Sequence, residues 1–127
     1  MPCVLVKEKE AKKVVPSNAT GSVSTQAFIS QAIASPASKN MTGGYIRLDP
    51  DYRKEFESPV DEIDLFLEGS LTYNCEGQTF TALPGDIVFI EKGSKVSFHT
   101  EGGCFCFFVT YPLLRETVEA LKRRGKI

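Results

Sequence analysis

Glu62 and Asp64 are the residues of this sequence whose type and spacing are best suited to chemistry. They stand two positions apart in a run that alternates with apolar residues in the manner of a β-strand. Alternation places Glu62, Asp64 and Phe66 on one face. The apolar residues of the same run fall on the opposite face: Ile63, Leu65 and Leu67. Carboxyl groups at this spacing lie about 6.5 to 7 Å apart along a strand, where each raises the other's pKa once partly buried. Such a pair acts as acid and base, binds a cation, or is neutralised.

Other polar residues decide between those outcomes. The further candidates for contact with a ligand are Tyr45, Arg47, Tyr73 and Ser94. Arg47 or Tyr45, on a neighbouring strand, could instead hold the acids in a salt bridge or a hydrogen bond, because buried charges are normally paired whether or not they act. The sequence leaves both interpretations open. Three more acids, in and after the loop before the strand, are either solvated charges or ligands: Glu55, Glu57 and Asp61.

We expect neither the single histidine nor the cysteines to take part in chemistry. If Val96 and Phe98 point into the interior, strand alternation sends His99 to the other face. Cys104 and Cys106 share one strand face, and the adjoining phenylalanines favour core packing over a metal site. The cysteines show no paired spacing typical of a disulfide framework, so we expect reduced thiols.

A series of short strands is predicted to position these side chains. From Gly43 onward, runs of β-branched and aromatic residues alternate with Gly, Pro, Asn and Asp. The pattern predicts strands over 43–49, 60–67, 70–75, 78–82, 86–90, 95–100 and 104–111. Turns are expected where glycine can take a positive φ: Glu68-Gly69, Glu76-Gly77, Pro84-Gly85, Lys92-Gly93 and Gly102-Gly103. Short strands at this spacing are typical of a sandwich or barrel.

The two ends of the chain differ from this central region of residues 43–111. Residues 1–42 are predicted to be an N-terminal extension, with a short strand or helix, that packs on the barrel or on a partner. Within it, 25–33 could form a short helix with Ser24 as N-cap. Residues 112–127 predict an amphipathic helix, because three apolar residues recur at helical spacing: Leu114, Val118 and Leu121.

Composition and charge exclude several classes of function. The chain has 127 residues, 42% hydrophobic and 24% charged, which is ordinary for a single globular domain. Its formal net charge of −1 gives no field that would attract nucleic acid or an anionic membrane. No apolar run approaches the roughly 20 residues of a membrane helix, and the N-terminus lacks the features of a secretory signal. We therefore expect a cytoplasmic protein with a small-molecule ligand.

Two segments together resemble the cupin superfamily. Glu62 followed after six residues by Gly69 matches the first cupin motif, and Pro84-Gly85-Asp86 with Lys92-Gly93 matches the second. The chain resembles the ethanolamine-utilisation EutQ family more closely still, over about residues 43–112. That likeness rests on Asp61-Glu62-Ile63-Asp64, Leu67-Glu68-Gly69, Glu76-Gly77-Gln78-Thr79, Pro84-Gly85-Asp86, Phe89-Ile90, Lys92-Gly93-Ser94 and Tyr111-Pro112. It implies an all-β fold, an RmlC-like jelly-roll barrel with a short N-terminal extension and a C-terminal amphipathic α-helix.

The sequence departs from the general cupin pattern at the metal position. Where metal-binding cupins carry His-x-His, this chain has Phe56 and Ser58 or, with the longer spacing, Glu55 and Glu57. The position of the last cupin histidine is Val96, so only Glu62 of the four usual ligands remains. No transition metal is expected. An all-oxygen set that includes Glu62 and Asp64 could hold Mg²⁺.

Four functions stay open, and whether the protein is an enzyme at all is not decided. The first is a cupin without the usual metal-binding histidines, tied to ethanolamine utilisation or a bacterial microcompartment, with an acidic barrel pocket for a small molecule. The family resemblance also implies an acetate kinase-like phosphotransferase with ATP and Mg²⁺, although the sequence has no glycine-rich phosphate loop and only Arg47 and Lys92 as phosphate-facing cations. The third is a non-catalytic scaffolding or homodimerisation module, with a microcompartment protein as partner. The fourth is a metal-independent isomerase or lyase that uses a carboxylate base and a tyrosine acid.

Overall fold

The computed structural model describes residues 40–115, together with Leu5, Lys7, Val15–Pro16 and Ala27–Ile33. Ten strands lie within these residues. In chain order they are β1 (Val15–Pro16), β2 (Ala27–Ile33), β3 (Thr42–Leu48), β4 (Arg53–Glu57), β5 (Asp61–Gly69), β6 (Leu71–Cys75), β7 (Gln78–Ala82), β8 (Ile87–Ile90), β9 (Lys95–His99) and β10 (Cys104–Tyr111). The seven strands predicted from Gly43 onward are confirmed, each within two residues at either end.

The strands form two antiparallel sheets that face each other. One has six strands in the order β1-β2-β3-β10-β5-β8, and the other has four in the order β4-β9-β6-β7. Apolar side chains from both sheets meet between them: Leu48, Phe66, Leu71, Tyr73, Ala82, Val88, Ile90, Val96, Cys104 and Cys106. This is the all-β, barrel-like architecture that the strand pattern predicts.

β5 carries the carboxyl pair and is paired on both edges. Asp64 lies opposite Phe108 of β10 on one side and opposite Val88 of β8 on the other. A strand bonded on both sides holds its backbone rigidly, so the direction of each β5 side chain is well defined.

Glycines at the turns fix how the strands connect. The five predicted turns are confirmed by positive φ values at Gly69, Gly77, Gly85, Gly93 and Gly103. Glu76 and Gly77 both have positive φ, 50° and 86°, which is the type I′ geometry that joins β6 to β7 with a two-residue loop. At Gly69 a Cβ atom would lie 2.1 Å from the carbonyl oxygen of Gly103, so no larger residue fits there.

The helix predicted over 25–33 is wrong, because Ala27–Ile33 is strand β2. Its backbone pairs with β3 from Ala27, opposite Leu48, to Ile33, opposite Gly43. The segment contains Phe28, Ile29 and Ile33, which favour strands, and pairing with β3 satisfies its backbone groups in place of a helix. The weak helical periodicity is overridden by this tertiary pairing.

Strand β4 is absent from the sequence prediction for a different reason. Its sequence, Arg-Lys-Glu-Phe-Glu, places only Phe56 in a partly buried position. It is one of the two edge strands of the four-stranded sheet, and among the described strands it pairs with β9 alone. Edge strands often carry charged residues, which removes the apolar alternation that a prediction needs.

The end of the chain is described only as far as Arg115. The amphipathic helix predicted over 112–127 therefore lies, beyond that residue, outside the described part. Across the residues that are described, no helix has the length and apolar character needed to cross a bilayer.

Candidate functional site

The two faces of β5 meet different surroundings. Asp64 is 6% exposed and Phe66 is fully buried, whereas Ile63 on the opposite face is 45% exposed. Glu62 is half-buried on the same face as Asp64. The side chains of the carboxyl pair are therefore directed into the space between the two sheets.

A cavity of about 220 Å³ lies in that space. Its polar lining includes Glu62 and Asp64 from β5 and Tyr73 from β6. Most of the remaining wall is apolar and comes from both sheets and from the segments beside them: Ile46, Leu48, Tyr52, Phe56, Pro59, Val60, Leu71, Phe98, Cys106, Phe108 and Leu114. Lys54, Glu57 and Ser58 complete the lining. A mostly apolar cavity with a few convergent polar groups is the usual form of a small-molecule site.

Tyr73 holds the deeper carboxyl group. Its hydroxyl donates a hydrogen bond to Oδ2 of Asp64 at 3.0 Å, and Tyr73 is only 1% exposed. Its ring packs edge-on against Phe66 and Phe98, and it stacks on Phe80 at 5.2 Å. Burial raises the pKa of the Tyr73 hydroxyl, and the neighbouring Asp64 raises it further. Tyr73 therefore acts as a fixed hydrogen-bond donor.

Asp64 is in an environment that favours its neutral form. Burial raises the pKa of Asp64 well above its usual value, and the charge of the neighbouring Glu62 raises it further. The hydrogen bond from Tyr73 acts in the opposite direction. Because Oδ2 accepts from Tyr73, the proton of a neutral Asp64 belongs on Oδ1, which no donor among the described residues reaches. One carboxyl that retains its proton beside a second carboxyl is an arrangement suited to proton transfer.

The cavity does not include three of the residues proposed as ligand contacts. Tyr45 and Arg47 alternate with the cavity-lining Ile46 and Leu48, so they lie on the outer face of β3. Tyr45 stacks there on Phe105 at 5.4 Å, and Arg47 pairs with Asp49, with 3.3 Å between Nε and Oδ1. The sequence gives no clear alternation in β3 by which this face could have been recognised.

Ser94, the third of these residues, lies in the turn between β8 and β9. Its carbonyl accepts a hydrogen bond from the backbone N–H of Ser58 at 2.9 Å, and its own N–H donates to Glu91. It connects the turn to the segment before β5 and does not line the cavity. Of the four proposed ligand contacts, the structure brings only Tyr73 together with Glu62 and Asp64.

An aromatic wall opposite the acids was not foreseen. Phe98 of β9 lies between Tyr52 and Phe56, with ring centroids 6.1 Å and 5.7 Å away. Lys54 places its Nζ 5.1 Å from the centre of the Phe56 ring. The inward direction of Phe98 follows from strand alternation, but Lys54 and Phe56 belong to the strand that the sequence pattern did not reveal.

His99 and the cysteine pair lie where alternation predicts. His99 is on the face of β9 opposite Phe98 and approaches Asp51, with 3.9 Å between Nε2 and Oδ1. Cys104 and Cys106 are both buried in the core. A hydrogen bond between the two thiols lowers the pKa of Cys104 and raises that of Cys106.

The donor set does not fit the transition metal of metal-binding cupins. Val96 is 2% exposed in the core, and Phe56 and Ser58 supply no imidazole. In the described part of the chain, no group of three or more His, Cys, Asp and Glu side chains lies close enough to hold a metal. Two carboxyl groups remain, and Mg²⁺ accepts one or two carboxylates when water or phosphate completes its shell.

The fold of this chain is shared with a solved structure. A cupin superfamily protein from Desulfitobacterium hafniense has the same fold, with a TM-score of 0.58 at 16% identity over 68% of this chain and 78% of that one. The two facing antiparallel sheets of this chain therefore have the fold of that protein.

The chain belongs to the EutQ family. The family model described as ethanolamine utilisation protein EutQ matches residues 3–115. The crystal structure of a putative ethanolamine utilization protein q from Salmonella typhimurium is 31% identical, with a TM-score of 0.60, and the match covers 68% of this chain and 69% of that one.

A curated relative is much longer than the matched region. The Escherichia coli protein named acetate kinase EutQ is 46% identical over 52 residues, which are 41% of this chain and 22% of the relative. The chain thus matches less than a quarter of that protein.

Proposed function

We propose that this EutQ-family cupin binds a small organic molecule in the barrel cavity, with Glu62 and Asp64 as the acidic end of the site. The observation that carries this proposal is Asp64. It is 6% exposed, it lines the cavity, and no donor among the described residues reaches its Oδ1. Burying a polar group without a partner is costly, and a ligand that supplies the partner recovers that cost.

The same residues could move a proton within a bound molecule. Glu62 and Asp64 both line the cavity from one face of β5, and Tyr73 orients Asp64 from the opposite sheet. If the protein is an enzyme, the pair supplies the acid and the base of a metal-independent isomerase or lyase. A bound substrate would lie against the apolar wall, with its reacting atoms at the carboxyl pair.

A thermal-shift screen of small metabolites tests the binding proposal. A ligand at one hundred times its Kd stabilises the folded state by about 2.7 kcal/mol, which is several degrees in Tm for a chain of this size. We expect at least one compound to raise the Tm of the wild-type protein and to lose that effect with Glu62→Gln and Asp64→Asn. A ligand whose effect is the same in both variants would place binding elsewhere and contradict the proposal.

The names of the curated relatives favour a second candidate, acetate kinase-like phosphoryl transfer. It requires ATP, with Mg²⁺ held by Glu62 and Asp64. Lys54 is the basic side chain that lines the cavity, and a nucleotide is much larger than 220 Å³ allows. ATP would therefore have to bind largely outside the cavity. If the purified protein forms ADP from ATP with acetate and Mg²⁺, and Glu62→Gln abolishes that rate, this candidate replaces the first.

An exposed apolar surface favours a third role, assembly as a homodimer. Phe89 lies opposite Ile63, and Ile87 lies opposite Leu65, on the outer face of the six-stranded sheet. Ile87 and Phe89 are 68% and 60% exposed. The net charge of −1 gives two copies little reason to repel each other. We propose that a second copy covers this face.

We also propose that the protein acts in ethanolamine utilisation, in the cytoplasm or at a microcompartment.

The mass of the protein in solution tests the dimer. Phe89→Lys should convert a dimer to a monomer in light scattering, because a lysine on an apolar interface loses its hydration. Lys95→Glu, on an exposed residue of the other sheet, is the matched control. A wild-type monomer at micromolar concentration would contradict the dimer.

A further inference from the structure

We propose that the ligand of the cavity is a small organic ammonium ion, whose cationic head binds between the Glu62–Asp64 pair and the aromatic wall of Tyr52, Phe56 and Phe98. This inference rests on the proposed function, since it names the class of molecule for the same site. It follows from the charge, the unsatisfied oxygen, the aromatic wall and the size of the cavity.

The charges of the lining favour a cation over an anion. Among the described residues, three acids line the cavity, Glu57, Glu62 and Asp64, against one base, Lys54. With Asp64 neutral, the two glutamates and Lys54 still give the lining a net charge of −1. An anion such as a carboxylate or phosphate would have to approach this excess, and in a partly enclosed space that repulsion is only weakly screened.

The oxygen Oδ1 of Asp64 can accept a hydrogen bond from a cationic N–H group in the cavity, or lie against a cation that has no N–H. It is buried, and no described N–H or O–H group donates to it. In the ligand-free protein a neutral Asp64 carries its proton on this oxygen, because Oδ2 accepts from Tyr73. When an ammonium head group enters, it can replace that proton, so that one cation enters the site and one proton leaves it.

The aromatic wall provides the other half of a cation site. A cation within about 6 Å of the face of an aromatic ring is attracted by the ring quadrupole, and organic ammonium groups are commonly recognised in this way. The protein already shows this contact, since the Nζ of Lys54 lies 5.1 Å from the centre of Phe56. Phe98 packs on Phe56 and also on Tyr73, with 5.8 Å between the ring centroids of Phe98 and Tyr73. The aromatic wall is therefore in contact with the tyrosine whose hydroxyl donates to Asp64.

The size of the cavity limits the ligand. An engineered apolar cavity of about 150 Å³ holds benzene, so 220 Å³ accommodates a molecule only slightly larger, such as a short-chain ammonium alcohol. Beyond the carboxyl pair, polar groups of the lining that could contact such a ligand belong to Tyr52, Lys54, Glu57, Ser58 and Tyr73.

Calorimetry with two molecules of equal shape tests the inference. Choline carries a permanent positive charge, and 3,3-dimethylbutan-1-ol is its neutral carbon analogue. With the full-length protein, we expect choline to bind at least tenfold more tightly than the neutral analogue. Asp64→Asn and Glu62→Gln should remove that difference, whereas Asp51→Asn should preserve it, because Asp51 is exposed and its positive φ of 67° suits asparagine.

A substitution of Lys54 distinguishes a site for a cation from a site for an anion. Lys54→Met keeps an unbranched apolar stem against Phe56 but removes the positive charge. If the ligand is a cation, this variant should bind choline about two- to tenfold more tightly. If the site is built for an anion, the variant should lose binding of acetate instead.

The pH dependence gives an independent readout. Choline itself does not titrate, so its affinity should rise with pH as Asp64 loses its proton, and calorimetry in two buffers should detect proton release. The groups facing this carboxyl are Glu62 on its own strand, Tyr73 on β6, and Cys104 and Cys106 on β10. Lys54 and Glu57 of β4 face the same cavity.

The outcomes distinguish the ammonium-ion inference from the proposed function, which is small-molecule binding in the cavity. Equal binding of choline and its neutral analogue, or acetate binding that depends on Lys54 and Asp64, overturns the ammonium ion but retains a small-molecule site. No binding of choline overturns the inference. If none of a broader set of neutral, anionic and cationic probes binds in a manner that depends on Asp64, the proposed function fails as well.

Discussion

The inner and outer faces of β5 reverse the usual distribution of polar and apolar residues. The inner face carries Glu62 and Asp64 in a cavity, while the outer face leaves Ile63 45% exposed beside Phe89, at 60%. In most antiparallel sheets the buried face is apolar and the solvent face is polar. Phe66 on the inner face packs in the core, but the buried carboxyl pair and the exposed apolar outer face do not stabilise a lone protomer. The proposed ligand and the proposed second copy would account for these two features.

The largest expected effect compares one residue from each face. Phe66→Ala should destabilise the protein by about 3 to 5 kcal/mol, because Phe66 is fully buried and its loss leaves a void. Ile63→Ala, on the outer face, should cost under about 1 kcal/mol in a monomer. Urea denaturation measures both, with Phe66→Leu as a milder substitute if the alanine variant does not fold. A cost for Ile63→Ala that grows with protein concentration would show that the outer face is covered by another copy.

A smaller effect is expected at the hydrogen bond between the sheets. Tyr73→Phe should cost about 1 to 3 kcal/mol, because Oδ2 of Asp64 loses its donor while it stays buried. The pKa of Asp64 should also rise further, since the tyrosine hydroxyl lowers it in the wild-type protein. Tyr111→Phe, at a residue that is 57% exposed, is the matched control and should change neither quantity. Equal stability of the two variants would mean that the bond to Asp64 is not formed in solution.

The effect of Asp64 on stability should depend on pH. The pKa of Asp64 is raised in the folded protein, so its neutral form favours folding below the unfolded-state pKa of about 3.9. This contribution is lost as pH rises from that value through the folded-state pKa, where the buried carboxyl must ionise. Asp64→Asn should remove this decline from a series of denaturation curves between pH 4 and 8, and Asp51→Asn should retain it. A decline that persists unchanged in Asp64→Asn would assign it to another group.

Strand alternation was sufficient to predict the carboxyl pair but not its partner. The sequence alternates clearly along β5, so the shared face of Glu62 and Asp64 could be read directly. The hydrogen bond from Tyr73 joins two strands that belong to different sheets, and no local pattern specifies contacts across the core. Arg47 and Tyr45 were the predicted partners of the acids, but the direction of β3 places both on its outer face.

The segments that were missed have weak local signals for physical reasons. β4 is a charged edge strand, so Lys54 and Phe56 could not be assigned to the aromatic wall. β2 was assigned to a helix, because its pairing with β3 is a tertiary effect. The barrel strands and turns were predictable because glycines and alternating apolar residues act locally.

The titration of Asp64 itself tests the central claim most directly. The ¹³C chemical shift of its carboxyl carbon, followed by NMR against pH, should give a midpoint well above the ordinary value of about 3.9. Addition of choline should lower that midpoint, because the cation favours the ionised carboxyl. A midpoint near 3.9 that choline leaves unchanged would contradict both the buried acid pair and the cation site built on it.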